Sequence, residues 1–523
     1  MQYKPRTFSL ALCLLLCGML LSSCTNSGIP IHESDSSLVL ELPPIESQFA
    51  APIGDTALEY TAESSLYLPM HDGSRLITLI EEITYTVARP QAESLVRALL
   101  NHPGNGSAAP IGGKVKLSLY GANPVEVSRD VASVNLAASA LQLDRKAFYL
   151  ACQAIANTLT TLPGIHYVNV LVVDKQQGLD IAGTLPSGTF TRSIGENIGT
   201  VFEQLLTQRA SGSIEASAAR LSSTATLYFP VSGMDGLLPE ARSISFESQS
   251  PAAIVLRLLQ ELGAGPQQIT GSPALPLLSD LLTQEPTLTD APEGGGRLIT
   301  LHFAHNLDDM LAAFDLTRAN SMASICYTLT GFLPNIAGVR ISIGDTMLSN
   351  VRLNGNPNQI ALLFQNAIQR RADYAAFMMD LCPLYFADEG GQKLVQVWRP
   401  VPYHQTTHPR ALLLELAKGP LPIDSVKTAK ALMPADILED SDLLGFSLKE
   451  DALLAHFTNT FDLIGEGIDA QQDRLLAYGL VNTLSSLPRI RRVCFFVSGA
   501  MPAPFSGEIC WEGDFYQNLG MVD

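Results

Sequence analysis

Asn157–Ile165 reads NTLTTLPGI, Tyr327–Ile336 reads YTLTGFLPNI, and Asn482–Ile490 reads NTLSSLPRI. The three stretches share Thr-Leu, a closing Leu-Pro and a following Ile, which marks an internal repeat. Upstream of the first, Phe148, Cys152, Ile155, Leu159 and Leu162 form one apolar face at helical spacing. Each stretch is therefore the end of an amphipathic helix, and the proline stops that helix and turns the chain. A strand then runs back: YVNVLVV at Tyr167–Val173, GVRISI at Gly338–Ile343 and RVCFFV at Arg492–Val497.

Working outward, each copy has a second strand before its helix: SVNLA (Ser133–Ala137), TLHFA (Thr300–Ala304) and LAHFT (Leu454–Thr458). Further upstream, Pro90, Pro251 and Pro409 open apolar-periodic stretches. Proline is tolerated at a helix's first position because its missing N–H would be unpaired there anyway. The copies begin alike, with SSLYLP (Ser64–Pro69), ATLYFP (Ala225–Pro230) and CPLYFA (Cys382–Ala387). The order reads β-β-α-β-β-α-β. This predicts an α+β chain of three tandem modules, each a small, mostly antiparallel sheet with two helices packed on one face. The modules span 62–200, 223–352 and 378–516. Between them, Val201–Leu206 and Gln359–Ile368 read as short amphipathic helices, and Ala210–Ser223 is small and polar. The second copy carries a proline-rich insert, Ser272–Gly296, that reads as a solvated loop. Its Leu277, Leu278, Leu281 and Leu282 offer a partner-docking stripe as the alternative.

The N-terminus is an address. Lys4 and Arg6 precede an apolar run from Phe8 to Leu21 that ends in Leu21-Ser22-Ser23-Cys24. Residues 1–23 are read as a signal peptide and Cys24 as the lipidation site, in the manner of a bacterial lipobox. An ordinary cleaved signal is the plainer alternative. Residues 24–61, rich in Ser, Pro and acids, read as a flexible tether. The protein is then expected on the extracytoplasmic face of the cell membrane, held by acyl chains such as palmitate. With Lys+Arg 33 against Asp+Glu 51, the chain carries −18 formal charges. That balance excludes a nucleic-acid partner and polybasic adhesion to anionic lipid. The 46% hydrophobic and 16% charged composition fits compact folding.

Chemistry is sparse. No carboxylate, histidine or cysteine recurs at one aligned position in all three copies. The shared Thr158, Thr328 and Thr483 sit near helix ends, where a hydroxyl ordinarily bonds back to a carbonyl one turn earlier. His404 and His408 have an i, i+4 spacing suited to a metal on a helix, but they precede Pro409 in a loop. His302 and His456 align with Asn135, which points to a partly buried hydrogen-bonding position. The pairs Glu81-Glu82 and Asp308-Asp309 diverge in direction, so they read as solvated faces. Glu439-Asp440-Ser441-Asp442 lacks the spacing of a calcium loop. Cys152, Cys326 and Cys494 read as buried free thiols, and a Cys382–Cys510 bridge stays open. No catalytic, metal or cofactor-binding residue is assigned, and no cofactor is expected.

The Leu-Tyr opening strand, the Pro-led helix ending in Gly-Pro, and the NTL…LP…V words resemble the GerMN domain of sporulation and spore-germination proteins. The resemblance runs from about Ser64 past Cys494. It implies a ring-building-motif-like fold without a known active site. It also implies a place among components of the envelope-spanning complex between mother cell and forespore, of cortex formation or of germination. Relatives commonly carry two such domains on a lipid anchor, and here there are three. The expected role is a non-catalytic lipoprotein whose partners are the membrane, envelope or sporulation proteins, and further copies of such modules. A solute-binding lipoprotein of a transporter, and a peptidoglycan hydrolase or binder, stand as alternatives. Replacing Cys24 by Ala is expected to abolish incorporation of labelled fatty acid and to move the protein from the detergent phase to the aqueous phase on phase partition.

Overall fold

The computed structural model describes residues 58–178, 188–193, 195–210, 221–269, 272–292, 295–353, 361–426 and 428–523. The signal peptide, Cys24 and almost all of the tether lie outside these. Among the described residues no helix is long and apolar enough to cross a membrane.

Each copy opens on a hairpin: β1 (Glu59–Pro69) with β2 (Leu76–Thr86), β7 (Leu221–Pro230) with β8 (Leu237–Phe246), and β15 (Met379–Ala387) with β16 (Leu394–Pro402). A helix follows: α1 (Gln91–Asn101), α4 (Pro251–Gly263) and α7 (Pro409–Ala417); α3 (Ile198–Ala210) is the first linker. Pro251 and Pro409 occupy the first helical turn, whereas Pro90 is the residue just before its helix.

A four-stranded sheet completes each module. In the first it comprises β3 (Val125–Ser128), β4 (Val131–Leu136), β5 (Tyr167–Val172) and β6 (Lys175–Gln176), with α2 (Arg145–Leu159) between β4 and β5. The second has β9 (Thr287–Asp290), β10 (Arg297–Phe303), β11 (Ile336–Ile343) and β12 (Thr346–Met347), with α5 (Leu307–Ala313) and α6 (Arg318–Phe332). The third has β17 (Leu443–Lys449), β18 (Ala452–Phe457), β19 (Arg492–Val497) and β20 (Phe515–Tyr516), with α8 (Thr460–Ile464) and α9 (Ala470–Leu484). The outer ladders are antiparallel and the central one is parallel. A helix that crosses over between two paired strands returns the chain in the same direction, so the central pair must be parallel. The α+β class is as read. The opening hairpin, however, forms its own two-stranded ribbon rather than joining that sheet.

The long helices are capped as their sequences allow. Asp144, Thr317 and Asp469 each accept a hydrogen bond from the N–H three residues on, at 2.8, 3.1 and 2.8 Å. After the closing Leu-Pro, Gly164, Asn335 and Arg489 take left-handed backbone (φ +85°, 57° and 65°). Glycine and asparagine suit that region, while arginine tolerates it at a cost.

The shared threonines do something the sequence does not announce. The N–H of Tyr67 donates to Thr158 Oγ1 at 3.0 Å, that of Tyr228 to Thr328 at 3.1 Å, and that of Tyr385 to Thr483 at 3.2 Å. All three threonines are fully buried. Each hydroxyl therefore joins the second long helix to the Leu-Tyr strand, where a bond back along the helix was expected.

Two linker readings change. Within the second, β14 (Leu362–Leu363) pairs with β13 (Asn350–Val351), and a single 3₁₀ turn at Gln365–Ala367 stands where a helix over Gln359–Ile368 was expected. Asn366 and Ala367 have positive φ, which α-helix excludes. The proline-rich insert is no solvated loop. It buries Leu275 and Leu278 and supplies β9, which pairs with β10. Leu281 and Leu282 pack on the same core, so three of the four leucines of the stripe serve the module itself, while Leu277 is exposed.

The modules close on one another. Leu66 and Leu68 at the tip of the first hairpin sit in the first module's core, yet Leu58, Tyr60, Tyr85 and Val87 at its base sit in the third module's core. Asn169 of β5 donates to Thr226 of β7 at 2.9 Å, and the Asn335 N–H to the Gln176 carbonyl at 2.8 Å. Thr158→Val, Thr328→Val or Thr483→Val should each cost about 1–3 kcal/mol by orphaning a buried N–H. Denaturant midpoints would fall for the valine variants and stay near wild type for the corresponding serine variants.

Candidate functional site

Among the described residues, three groups of buried, specifically partnered polar side chains bear on the site: at the tail of the long helices, under the hairpins, and where the modules meet. At the first place, Asn157 holds Ser193 by a two-way amide pair (Nδ2 to the Ser193 carbonyl at 2.6 Å, Ser193 N–H to Oδ1 at 2.9 Å). Asn482 holds Asn518 the same way at 3.1 and 2.8 Å. The second module has Tyr327 here instead, with the Arg371 guanidinium 3.9 Å from its ring centroid.

Under the hairpins, Arg242 and Arg399 are equivalent, since Arg242 pairs across from Ala225 and Arg399 from Cys382. Each reaches the carbonyl of the glycine beyond its module's first helix, Gly265 at 2.9 Å and Gly419 at 2.6 Å. Each lies over a phenylalanine, Phe229 or Phe386. Buried carboxylates balance the charge: Glu240 and Glu261 in the second module, Asp424 in the third. The first module has Glu81 at this register, 3.4 Å from His102 just past its helix. This arginine pair recurs in two copies at one offset, a signal that a search for shared acids, histidines and cysteines passes over.

Where the modules meet, Arg129 (φ 52°) ties all three. Its N–H donates to Asp380 Oδ1 at 2.6 Å and its Nη1 to the Pro239 carbonyl at 3.1 Å, while Ser128 donates to the Met379 carbonyl at 2.5 Å. Burial pushes the Asp380 carboxyl up to about 6 against two backbone donors and Arg129. Beside this junction a groove of about 770 Å³ runs between the first and third modules. Its wall includes the stacked pair Tyr60–Tyr85, with ring centroids 5.2 Å apart, and Tyr403 and His404.

The residues weighed in the sequence fall as follows. His404 lines the groove and His408 precedes α7; among the described residues no group of three or more His, Cys, Asp or Glu could hold a metal. His302 meets Ser342 at 2.7 Å, His456 meets Ser447 at 3.3 Å, and Asn135 meets Asp174 at 2.6 Å, so the aligned position is a hydrogen-bonding one. Burial lowers the His456 pKa. Asp308 pairs with Arg318, Asp440 with Arg410, and Asp442 accepts from Thr458 and Thr460. Cys382 and Cys510 are both free, the first buried and the second exposed, so no bridge joins them. Burial raises the Cys326 and Cys382 thiols to about 12, which suppresses the reactive thiolate.

Modules of this α+β kind define the class of protein. Residues 383–501 match the family model Germane, described as sporulation and spore germination, so the third module is a GerMN-like domain and the chain is GerMN-like there by sequence. No curated protein sequence matches the chain. Among solved structures it is similar to the tandem GerMN domains of the sporulation protein GerM from Bacillus subtilis (18% identity, 57% of this chain and 98% of that one, TM-score 0.20). It is similar also to a putative lipoprotein from Clostridium perfringens (20% identity, 26% and 87%, TM-score 0.18). The first GerMN domain of GerM alone matches at 22% identity, over 23% of this chain and 84% of that one, with a TM-score of 0.19.

The Asp380 shift makes the junction sensitive to pH. The folded chain holds this proton up to about pH 6, whereas the ordinary value is 3.8, so stability falls as pH rises between the two and is level above. Asp380→Asn keeps an oxygen acceptor for both N–H groups and should remove a penalty of about 1–3 kcal/mol at neutral pH. Thermal midpoints at pH 4.5 and 7 would converge in the variant relative to wild type.

Proposed function

We propose that the protein is a non-catalytic lipoprotein of the cell envelope that acts in sporulation through its surfaces. Acylation at Cys24 holds it on the extracytoplasmic face of the membrane, and residues 24–61 tether the folded body. Its partners are envelope or sporulation proteins of the mother cell–forespore channel, of cortex formation or of germination. One observation carries this reading: the polar groups repeated between copies are spent inside the fold, most of them on backbone. Thr158, Thr328 and Thr483 accept from strand N–H groups, and Arg242 and Arg399 cap helix ends. A module multiplied for catalysis would repeat a group facing solvent with its proton-transfer partner. The match of residues 383–501 to a sporulation and spore-germination family supports the setting.

Deletion of the gene should lower the yield of heat-resistant spores, and the intact protein should restore it where the Cys24→Ala form does not. Purified protein incubated with peptidoglycan should release no soluble fragments; release would overturn the non-catalytic reading.

A further inference from the structure

A cavity of about 300 Å³ lies between the first and second modules. Glu126 on β3, Asp174 in the turn between β5 and β6, and Arg371, which precedes β15, all line it. Arg371 is buried, with its guanidinium carbon 3.9 Å from the Tyr327 ring centroid and 5.4 Å from that of Tyr228. It donates to the Tyr327 carbonyl at 3.1 Å and to the Tyr228 hydroxyl at 3.5 Å, and makes no ion pair among the described residues. A guanidinium carries five donors, so most of its capacity is unspent. The Glu126 carboxylate has no hydrogen-bond or ion-pair partner among the described residues, although it faces the same space.

Opposite charges thus line one cavity without a direct ion pair. Arg371 is buried, and Glu126 acts on it through space with no hydrogen bond between them. A molecule carrying both charges would complete both. Asp174 already accepts from Asn135 at 2.6 Å and adds a second carboxylate on the Glu126 side. The volume is at the small end for ligand sites.

We propose that this cavity binds a free α-amino acid, its carboxylate on Arg371 and its ammonium on Glu126 and Asp174.

The groups whose charge Glu126 feels or shares are Asp174, Arg371, Tyr327 and Tyr403. Burial pushes its carboxyl up to about 7, with Arg371 opposing and Asp174 adding. An ammonium brought against it stabilises the ionised form, so binding near neutral pH releases a proton. A purely structural carboxylate would give no such release.

The test titrates the full chain calorimetrically with L-alanine at pH 7 in two buffers of different ionisation heat. The expected result is saturable binding at one site with a Kd of about 1 mM or tighter and net proton release. Acetate and methylamine, each bearing one of the two charges, should bind at least tenfold more weakly. Glu126→Gln should weaken L-alanine binding at least tenfold and abolish the proton release while the thermal midpoint shows a folded chain. Asp174→Asn, read the same way, is the second variant if the first does not fold. Absence of saturable heat with L-alanine, glycine and L-serine would overturn the proposal, as would unchanged binding in both variants.

Discussion

One hydrogen bond recurs three times and holds each module together: the N–H of the tyrosine in the Leu-Tyr strand donates to a threonine hydroxyl on the second long helix. The hairpin needs this because its two strands form a sheet of their own, apart from the four-stranded one, and a two-stranded ribbon is marginal in water. Apolar packing of Leu66, Leu227 and Leu384 supplies the attraction without direction. The threonine supplies direction, since a buried N–H is costly to leave unmet and can be met from one place. It fixes where along the helix the strand sits, and with that the orientation of the whole hairpin.

Around that fixed point the copies have diverged in their charges. Arg242 and Arg399 stand where Glu81 stands in the first module. In the second and third modules the arginine and its acids are enclosed, and they satisfy the helix end that the chain leaves behind. In the first, the Glu81–His102 pair is partly exposed. The base of its hairpin has a different task, placing Leu58, Tyr60 and Tyr85 in the third module's core. The first hairpin therefore belongs to two cores, and the three copies make one body. Arg129, with a left-handed backbone at the end of β3, is the residue at which all three touch.

The division between surface and chemistry follows. Groups common to the copies are consumed by folding, whereas Glu126 and Arg371, peculiar to one junction, line a cavity without a direct ion pair. An ion pair that forms would be structural; an ion pair held open leaves room for something else.

The threefold recurrence of hairpin, helix, strand pair and long helix was legible in the sequence, as was the end of each long helix; the short closing strands Lys175–Gln176, Thr346–Met347 and Phe515–Tyr516 and the short helices α5 and α8 were not. Periodicity and Leu-Pro stops are local, and local rules act within a few residues. The bonded role of Asn135, His302 and His456 and the burial of Cys152, Cys326 and Cys494 were legible too. The sequence could not say that Thr158 faces Tyr67, that the Ser272–Gly296 insert supplies a strand, or that Glu126 and Arg371 line one cavity. Those partners are separated by many residues, and a side chain's environment is set by whatever the folded chain brings beside it. Only tertiary packing chooses that neighbour, because burial is a property of the assembled surfaces and not of the segment that carries the residue.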